Sequence, residues 1–344
     1  MVPMGTRLLL RPEPGAVFTV RGAALAGVSR GRIDRHPEVR APFPGVRIRV
    51  KPIPEREGPW ETRRRTVLQL ANAYRAVMPQ RVFFSHATAA EIYGATLPLP
   101  GSADEYDLTC ARTSMTGLLE AATLAPHRSP RATVVTAHQV MPELCTVIEY
   151  DGYRVSDPAS TWAMLADRLT VEQLVVLGDS FVRRDRIAGT SLAEAPPAMA
   201  TIDELRTAMD AGPRTGVARL RAALPLIRQG ASSDLETLQR LAMRDAGLPE
   251  PELDVDVYDD TGKLLGCTEI VYSGRKIAIE CEGDHHRVSR QQWNRDIEKY
   301  HAYMQNGWLV VRGTAQEIRY RRPVVADRAR AALLQRGWKS GEPG

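Results

Sequence analysis

The chain has 344 residues, 43% of them hydrophobic and 25% charged, with a formal net charge of +5. That length accommodates two or three ordinary domains, and the composition is that of a folded globular protein, which excludes a disordered or fibrous chain. No stretch approaches the roughly 18 consecutive apolar residues of a membrane span, and the opening MVPMGTRLLLRPEPG makes a poor signal peptide.

Charge is unevenly spread: residues 1–80 carry 15 Lys and Arg against 6 Asp and Glu, a balance that suits a polyanionic partner. Within this region FTVRGAALAGVSRGRIDRH reads as two short helices. Thr19 caps the first, Gly27 ends it, and Ser29 caps the second. The second helix bears Arg30, Arg32 and Arg35, and FPGVRIRVKP then offers a basic strand or hairpin. Helix, tight turn, basic helix and basic wing outline a winged-helix-like DNA-binding module over 1–65. The plainer alternative is a small helical subdomain with a solvated basic face.

Residues 66–187 read as mixed α/β. RVFFSHATAAEIYG is a strand followed by a helix, Asp157 and Pro158 open another helix, and Thr170 with Gln173 has capping-box spacing. His86 precedes an alanine-rich helix with no ligand partner legible near it, and is read as structural. Residues 188–231 form a helical connector. Cys110, Cys145, Cys267 and Cys281 lie far apart without CxxC spacing, which argues against a zinc knuckle and for a reducing, cytoplasmic compartment.

From 232 to 344 the pattern is sharper. SSDLETLQRLAMRDAGLP is a helix capped by Ser233; ELDVDVYDD, LLGCTEIVY and RKIAIECE are three strands joined by tight turns. SRQQWNRDIEKYHAYMQNG is a helix whose apolar stripe is Trp293, Ile297, Tyr300 and Met304, and WLVVRG is a short buried strand. The order is α-β-β-β-α-β, and the fold class as a whole is α/β. With Ser273-Gly274 as a two-residue turn, Tyr272 pairs with Arg275 and Glu269 with Ala278. Glu269, Glu280 and Glu282 then share one face of a small sheet. Carboxylates that close repel unless protons or a cation intervene, and a hard divalent ion, Mg²⁺ or Mn²⁺, suits oxygen ligands. The alternative is a wetted sheet face.

This order, with acids on the hairpin, resembles the PD-(D/E)XK restriction-endonuclease-like superfamily. IAIECEGDHHR followed by DIEKYHAYMQNGWLVVR is similar to its very-short-patch-repair-like branch, through Glu280, Gly283, His286, Asp296, Gly307 and Trp308. The resemblance covers about residues 232–320. It implies that Glu269 and Glu280 hold Mg²⁺ (or Mn²⁺), that Glu236 is a supporting acid of the first helix, and that Glu282 stands where the branch has Asp and wider relatives carry a catalytic Lys. Ser233 and Glu236 also have capping-box spacing, which alone accounts for that pair. With the Lys missing, His286 becomes the candidate general base and His285 the second. Arg287, Arg290 and Arg312 would contact phosphates. Lys299 replaces the usual Arg after Asp296, at a spacing that equally suits a surface ion pair.

Residues 15–185 resemble, more loosely, the N-terminal organisation of AbiEi-like type IV antitoxins, which implies DNA binding through Arg30, Arg32 and Arg35. Two functions follow. One is a metal-dependent DNA endonuclease or nickase with a DNA-binding front module. The other is a non-catalytic transcriptional regulator of antitoxin type on a degenerate nuclease fold, with a cognate toxin as partner. DNA is the partner in both, a homodimer is compatible with either, and the enzyme is the preferred reading.

Overall fold

The computed structural model describes residues 15–50, 57–98, 114–191, 194–282 and 290–341, with the backbone alone for 290–295. It is a mixed α/β protein in two compact units. The first comprises Met1–Asp167 and Thr207–Thr215, the second Arg168–Arg206 and Gly216–Gly344. No helix among the described residues is long and apolar enough to cross a membrane.

In the first unit, β1 (Val17–Thr19), α1 (Val20–Leu25), α2 (Arg30–Asp34), β2 (Val39–Phe43) and β3 (Val46–Arg49) make a small sheet of order β1-β3-β2 with two short helices. Thr19 caps α1 by accepting from the Gly22 N–H at 2.9 Å, and Gly27 ends it at φ +77°. Ser29 stands at the start of α2 but makes no side-chain cap bond. Ala23, Val28 and Ile33 bury their side chains between these helices and the sheet. The chain continues through α3 (Pro59–Arg75), β4 (Val82–Phe84), α4 (His86–Tyr93), β5 (Leu119–Leu124), β6 (Val135–Val140), β7 (Val147–Tyr150), β8 (Tyr153–Ser156) and α5 (Pro158–Met164). Their five strands form one sheet of order β6-β5-β4-β8-β7. An aromatic chain, Phe43–Tyr74–Phe84–Tyr153, with centroids 4.9, 6.1 and 5.8 Å apart, runs from the small sheet through α3 to the large one. Residues on both sides of position 65 therefore share one packed body.

The second unit contains α6 (Val171–Val182), α7 (Val217–Ala223), α8 (Asp234–Asp245), β9 (Glu252–Tyr258), β10 (Leu264–Tyr272), β11 (Ile277–Glu282), α9 (Arg290–Gln305), β12 (Leu309–Thr314), α10 (Ala315–Tyr320) and α11 (Pro323–Gln335). Its sheet runs β12-β11-β10-β9, antiparallel except for the β11–β12 pair, which α9 connects. Strand parity gives β11 two cores. Ile277, Ile279 and Cys281 pack with Leu235 and Leu238 of α8, and Ala278 packs with Val271, Tyr303 and Trp308 on the side of α9. Arg240 of α8 is fully buried and meets Asp179 of α6 at 2.9 Å, while the Thr237 hydroxyl and the Arg228 N–H also donate to that carboxylate. A charge pair that deep persists because three donors converge on the carboxylate, although Arg240 Nε is left without a partner.

Two expectations are corrected here. The β10–β11 connection is not a two-residue turn: Ser273–Arg275 form a single 3₁₀ turn, Lys276 takes φ +50°, and Tyr272 pairs with Ile277. The register is thus displaced by two residues, with Ile270 opposite Ile279. A shift of two preserves face parity, so the faces assigned to β11 stand. The second correction concerns α9. Ile297 and Met304 are exposed, and the face turned to the sheet carries Tyr303, fully buried, together with Lys299 and Tyr300. A lysine whose stem packs and whose ammonium is paired lies on an inward face, which apolar periodicity does not count.

Candidate functional site

The acidic residues meet where β10 and β11 part. The ladder ends at Ile270 opposite Ile279, and the Cys281 N–H donates at 2.8 Å to the Glu269 carboxylate instead of to a backbone carbonyl. Glu269, partly buried, therefore fills a fork between the strands. Glu280, 6% exposed, follows on β11. From one face α8 brings Glu236, which is 2% exposed. Its carboxylate accepts from the Ser232 N–H at 2.7 Å and the Ser233 hydroxyl at 2.9 Å, and its own N–H donates back to Ser233. From the other face α9 brings Lys299, whose Nζ lies 2.8 Å from Glu280 Oε1.

Burial is the chief cause of the perturbed acidities, and at Glu269 the neighbouring carboxylates deepen the shift. Burial, then the charges of Glu236 and Glu280, push the Glu269 carboxyl up to about 8; the Cys281 N–H and Lys299 oppose the shift. Burial raises Glu236 to about 7 against its serine hydrogen bonds. Glu280 is raised by burial and held back by Lys299. Near neutral pH Glu236 and Glu269 therefore still hold protons part of the time, while Glu280 is answered by Lys299.

The four carboxylates named from sequence separate in this geometry. Glu236 and Glu280 are near enough for their charges to act on Glu269, though the three do not all bring an oxygen within 4.8 Å of one another. Glu282 does not join them, because its carboxylate is paired with the Arg312 guanidinium of β12, which also lies 4.8 Å over the Tyr300 ring. His285, His286 and Arg287 lie outside the described residues, as does the side chain of Arg290. Arg30, Arg32 and Arg35 are exposed on and just after α2; Arg30 reaches Asp34 at 3.3 Å and Arg35 donates to the Gly31 carbonyl at 2.8 Å.

Sequence reasoning missed Lys299 as a member of the site. The spacing of Asp296, Lys299 and Tyr303 on one helical face is the signal that finds it. Its position depends on Gly266, at a bulge in β10: a Cβ there would stand 3.2 Å from Lys299 Cγ and 3.2 Å from the Tyr303 hydroxyl. Gly266→Val is expected to crowd both and cost about 1–3 kcal/mol, read as a lower urea midpoint at unchanged m-value. Sequence reasoning also passed over a second constellation, in the first unit, where His86, Glu120 and His138 bring ligand-type atoms within 4.8 Å of one another and could hold a metal ion.

No protein-family model matches the chain, and no solved structure does. It is similar to two Mycobacterium tuberculosis proteins named as uncharacterized, MT2308 of strain CDC 1551 / Oshkosh and Rv2248 of strain H37Rv, each 26% identical over 168 residues. The match takes in 49% of this chain and 57% of each relative, so the chain spans little more than half the length of the curated relatives it matches.

Proposed function

We propose that the second unit is a PD-(D/E)XK-type nuclease domain that hydrolyses phosphodiester bonds in DNA, and that the first unit supplies a winged-helix-like DNA-binding module. The observation that carries this reading is Glu269 lodged in the β10–β11 fork against the Cys281 N–H, beside Glu280 with Lys299 seated on it. Glu269 and Glu280 would hold Mg²⁺ or Mn²⁺, which when bound polarises the scissile phosphate and acidifies a water. Glu236, anchored by two serine contacts, orients the rim of the fork. Lys299 supplies a positive charge beside Glu280, where the superfamily's usual motif lysine is missing from β11; its task is to bind and orient the phosphate or the attacking water. His286 remains the proposed general base. Arg312, held by Glu282, serves as a phosphate contact once that pair opens.

A specific observation also favours the regulator as second reading. Arg30, Arg32 and Arg35 are all exposed around one short helix beside a β-hairpin, a surface that suits phosphate contacts without catalysis. A toxin would then be the protein partner.

Nicking of supercoiled plasmid by the full chain with Mg²⁺, Mn²⁺ or EDTA separates the two. Relaxation that needs the metal and disappears in Glu280→Ala supports the nuclease. A salt-sensitive gel shift with no cleavage under either metal, unchanged in Glu280→Ala, supports the regulator.

A further inference from the structure

In the first unit, three neighbouring strands of the large sheet bring together side chains from positions 86, 120 and 138. Glu120 is on β5 and His138 on β6; His138 is paired across the ladder with Ala122, two residues on from Glu120 and on the same face. His86 follows β4 directly as the first residue of α4. The His138 Nε2 lies 3.1 Å from Glu120 Oε1, and the two imidazoles stack with centroids 3.9 Å apart.

The surroundings hold these donors in place. Glu120 Oε2 accepts from the Ala87 N–H at 2.9 Å, the Glu120 N–H donates to the Thr88 hydroxyl at 2.7 Å, and the Ser85 N–H donates to the Glu120 carbonyl at 3.2 Å. Ser85 Oγ lies 2.9 Å from His86 Nδ1. An outer hydrogen bond on one imidazole nitrogen is the arrangement that orients a metal-binding histidine. His86 itself is buried and takes φ +50°. A β-carbon-bearing residue in the left-handed region costs about 1–3 kcal/mol, and such strain concentrates at functional sites. His86 and Glu120 are buried while the His138 side chain keeps 20% exposure, so the cluster opens towards solvent on one side.

We propose that His86, Glu120 and His138 form a binding site for a divalent transition-metal ion of the zinc type. Two imidazoles and one carboxylate are a borderline donor set that suits Zn²⁺ or Co²⁺ and disfavours Mg²⁺. Donors about 2.0–2.1 Å from a tetrahedral zinc stand roughly 3.3 Å apart; His138 Nε2 and Glu120 Oε1 are already near that spacing at 3.1 Å, and all three ligand atoms lie within 4.8 Å of one another. The open side leaves a coordination position for water. The ion ties the ends of β4, β5 and β6 together and stabilises the first unit. This site is independent of the carboxylate fork and of the nuclease reading.

The test is titration of the full chain with Zn²⁺ and Co²⁺, in a Glu280→Ala background so that the fork does not contribute. One equivalent is expected to bind, to raise the melting temperature and to give Co²⁺ ligand-field bands. Affinity is expected to fall at least about 10-fold in His138→Gln and in Glu120→Gln, and by about 10-fold in Ser85→Ala, which removes only the orienting group. Titrations of His138→Gln and Glu120→Gln that coincide with the parent would overturn the site, as would a parent that takes up no ion. X-ray absorption of the parent with one equivalent of Zn²⁺ needs no variant at these three positions: two imidazoles in the shell support the proposal, and a shell of oxygen or sulfur alone refutes it.

Discussion

Lys299→Met is expected to abolish metal-dependent nicking, by more than about 100-fold, while the double variant Glu280→Gln/Lys299→Met recovers stability without recovering activity. The stability half of this rests on the 2.8 Å pair between Lys299 and a carboxylate with 7% side-chain exposure. Removing one partner of such a pair strands the other charge in a poorly solvated place, at a cost of about 3 kcal/mol. That is the low end for buried pairs, because Lys299 retains 20% exposure. The cost shrinks towards acid pH, since Glu280, already raised by burial, then takes up a proton. Replacing both charges by neutral groups of similar shape removes the penalty. The activity half rests on function alone: the double variant offers neither the carboxylate that would hold the ion nor the cation beside it. Denaturant melts and plasmid nicking on the same preparations check both. A double variant that nicks at the parent rate would remove Glu280 and Lys299 from the chemistry.

The second large effect is on pH and metal dependence. In EDTA the stability of the second unit is expected to fall as pH rises from about 5 to about 9. Glu236 and Glu269 have folded-state values pushed up to about 7 and about 8, above the ordinary 4.5. The folded state therefore binds more protons than the unfolded one between these values. The contribution of these two groups is fully present below the ordinary carboxylate range and is lost as each ionises on the way up, at up to about 1.4 kcal/mol per pH unit and proton. Glu269→Gln keeps an oxygen to accept from the Cys281 N–H but removes the charge. It should match the parent near pH 5 and exceed it near pH 9, with about 2–4 °C in melting temperature per kcal/mol. Added Mg²⁺ should reverse the order at high pH by stabilising the parent alone, as a ligand that binds only the folded state must. A Glu269→Gln protein less stable than the parent at every pH would show that the charge is not a liability and that no ion is needed there.

Much of this was legible in the chain itself. Turn glycines, caps and two kinds of hydrophobic period are local signals, and they place α8, β9, β10, β11, α9 and β12 in their observed order. Strand parity likewise separates Ile277, Ile279 and Cys281 from Ala278, because a pleated strand alternates whatever its neighbours do. Tertiary structure decided what parity and period cannot encode. The four-residue turn at Ser273–Lys276 displaced the register by two, and the fork it leads to let Glu269 bond sideways to the Cys281 backbone. Lys299 faces inward because a buried carboxylate awaits it, and Glu282, on the same face of β11 as Glu280, is taken up by Arg312 on the neighbouring parallel strand. His86 has ligand-type neighbours only because residues 34 and 52 positions away return on adjacent strands. What the sequence determines alone is which residues can carry charge, turn the chain or fill a core; which charges meet is decided by non-local packing, where the low dielectric makes each unpaired group costly enough to select its partner.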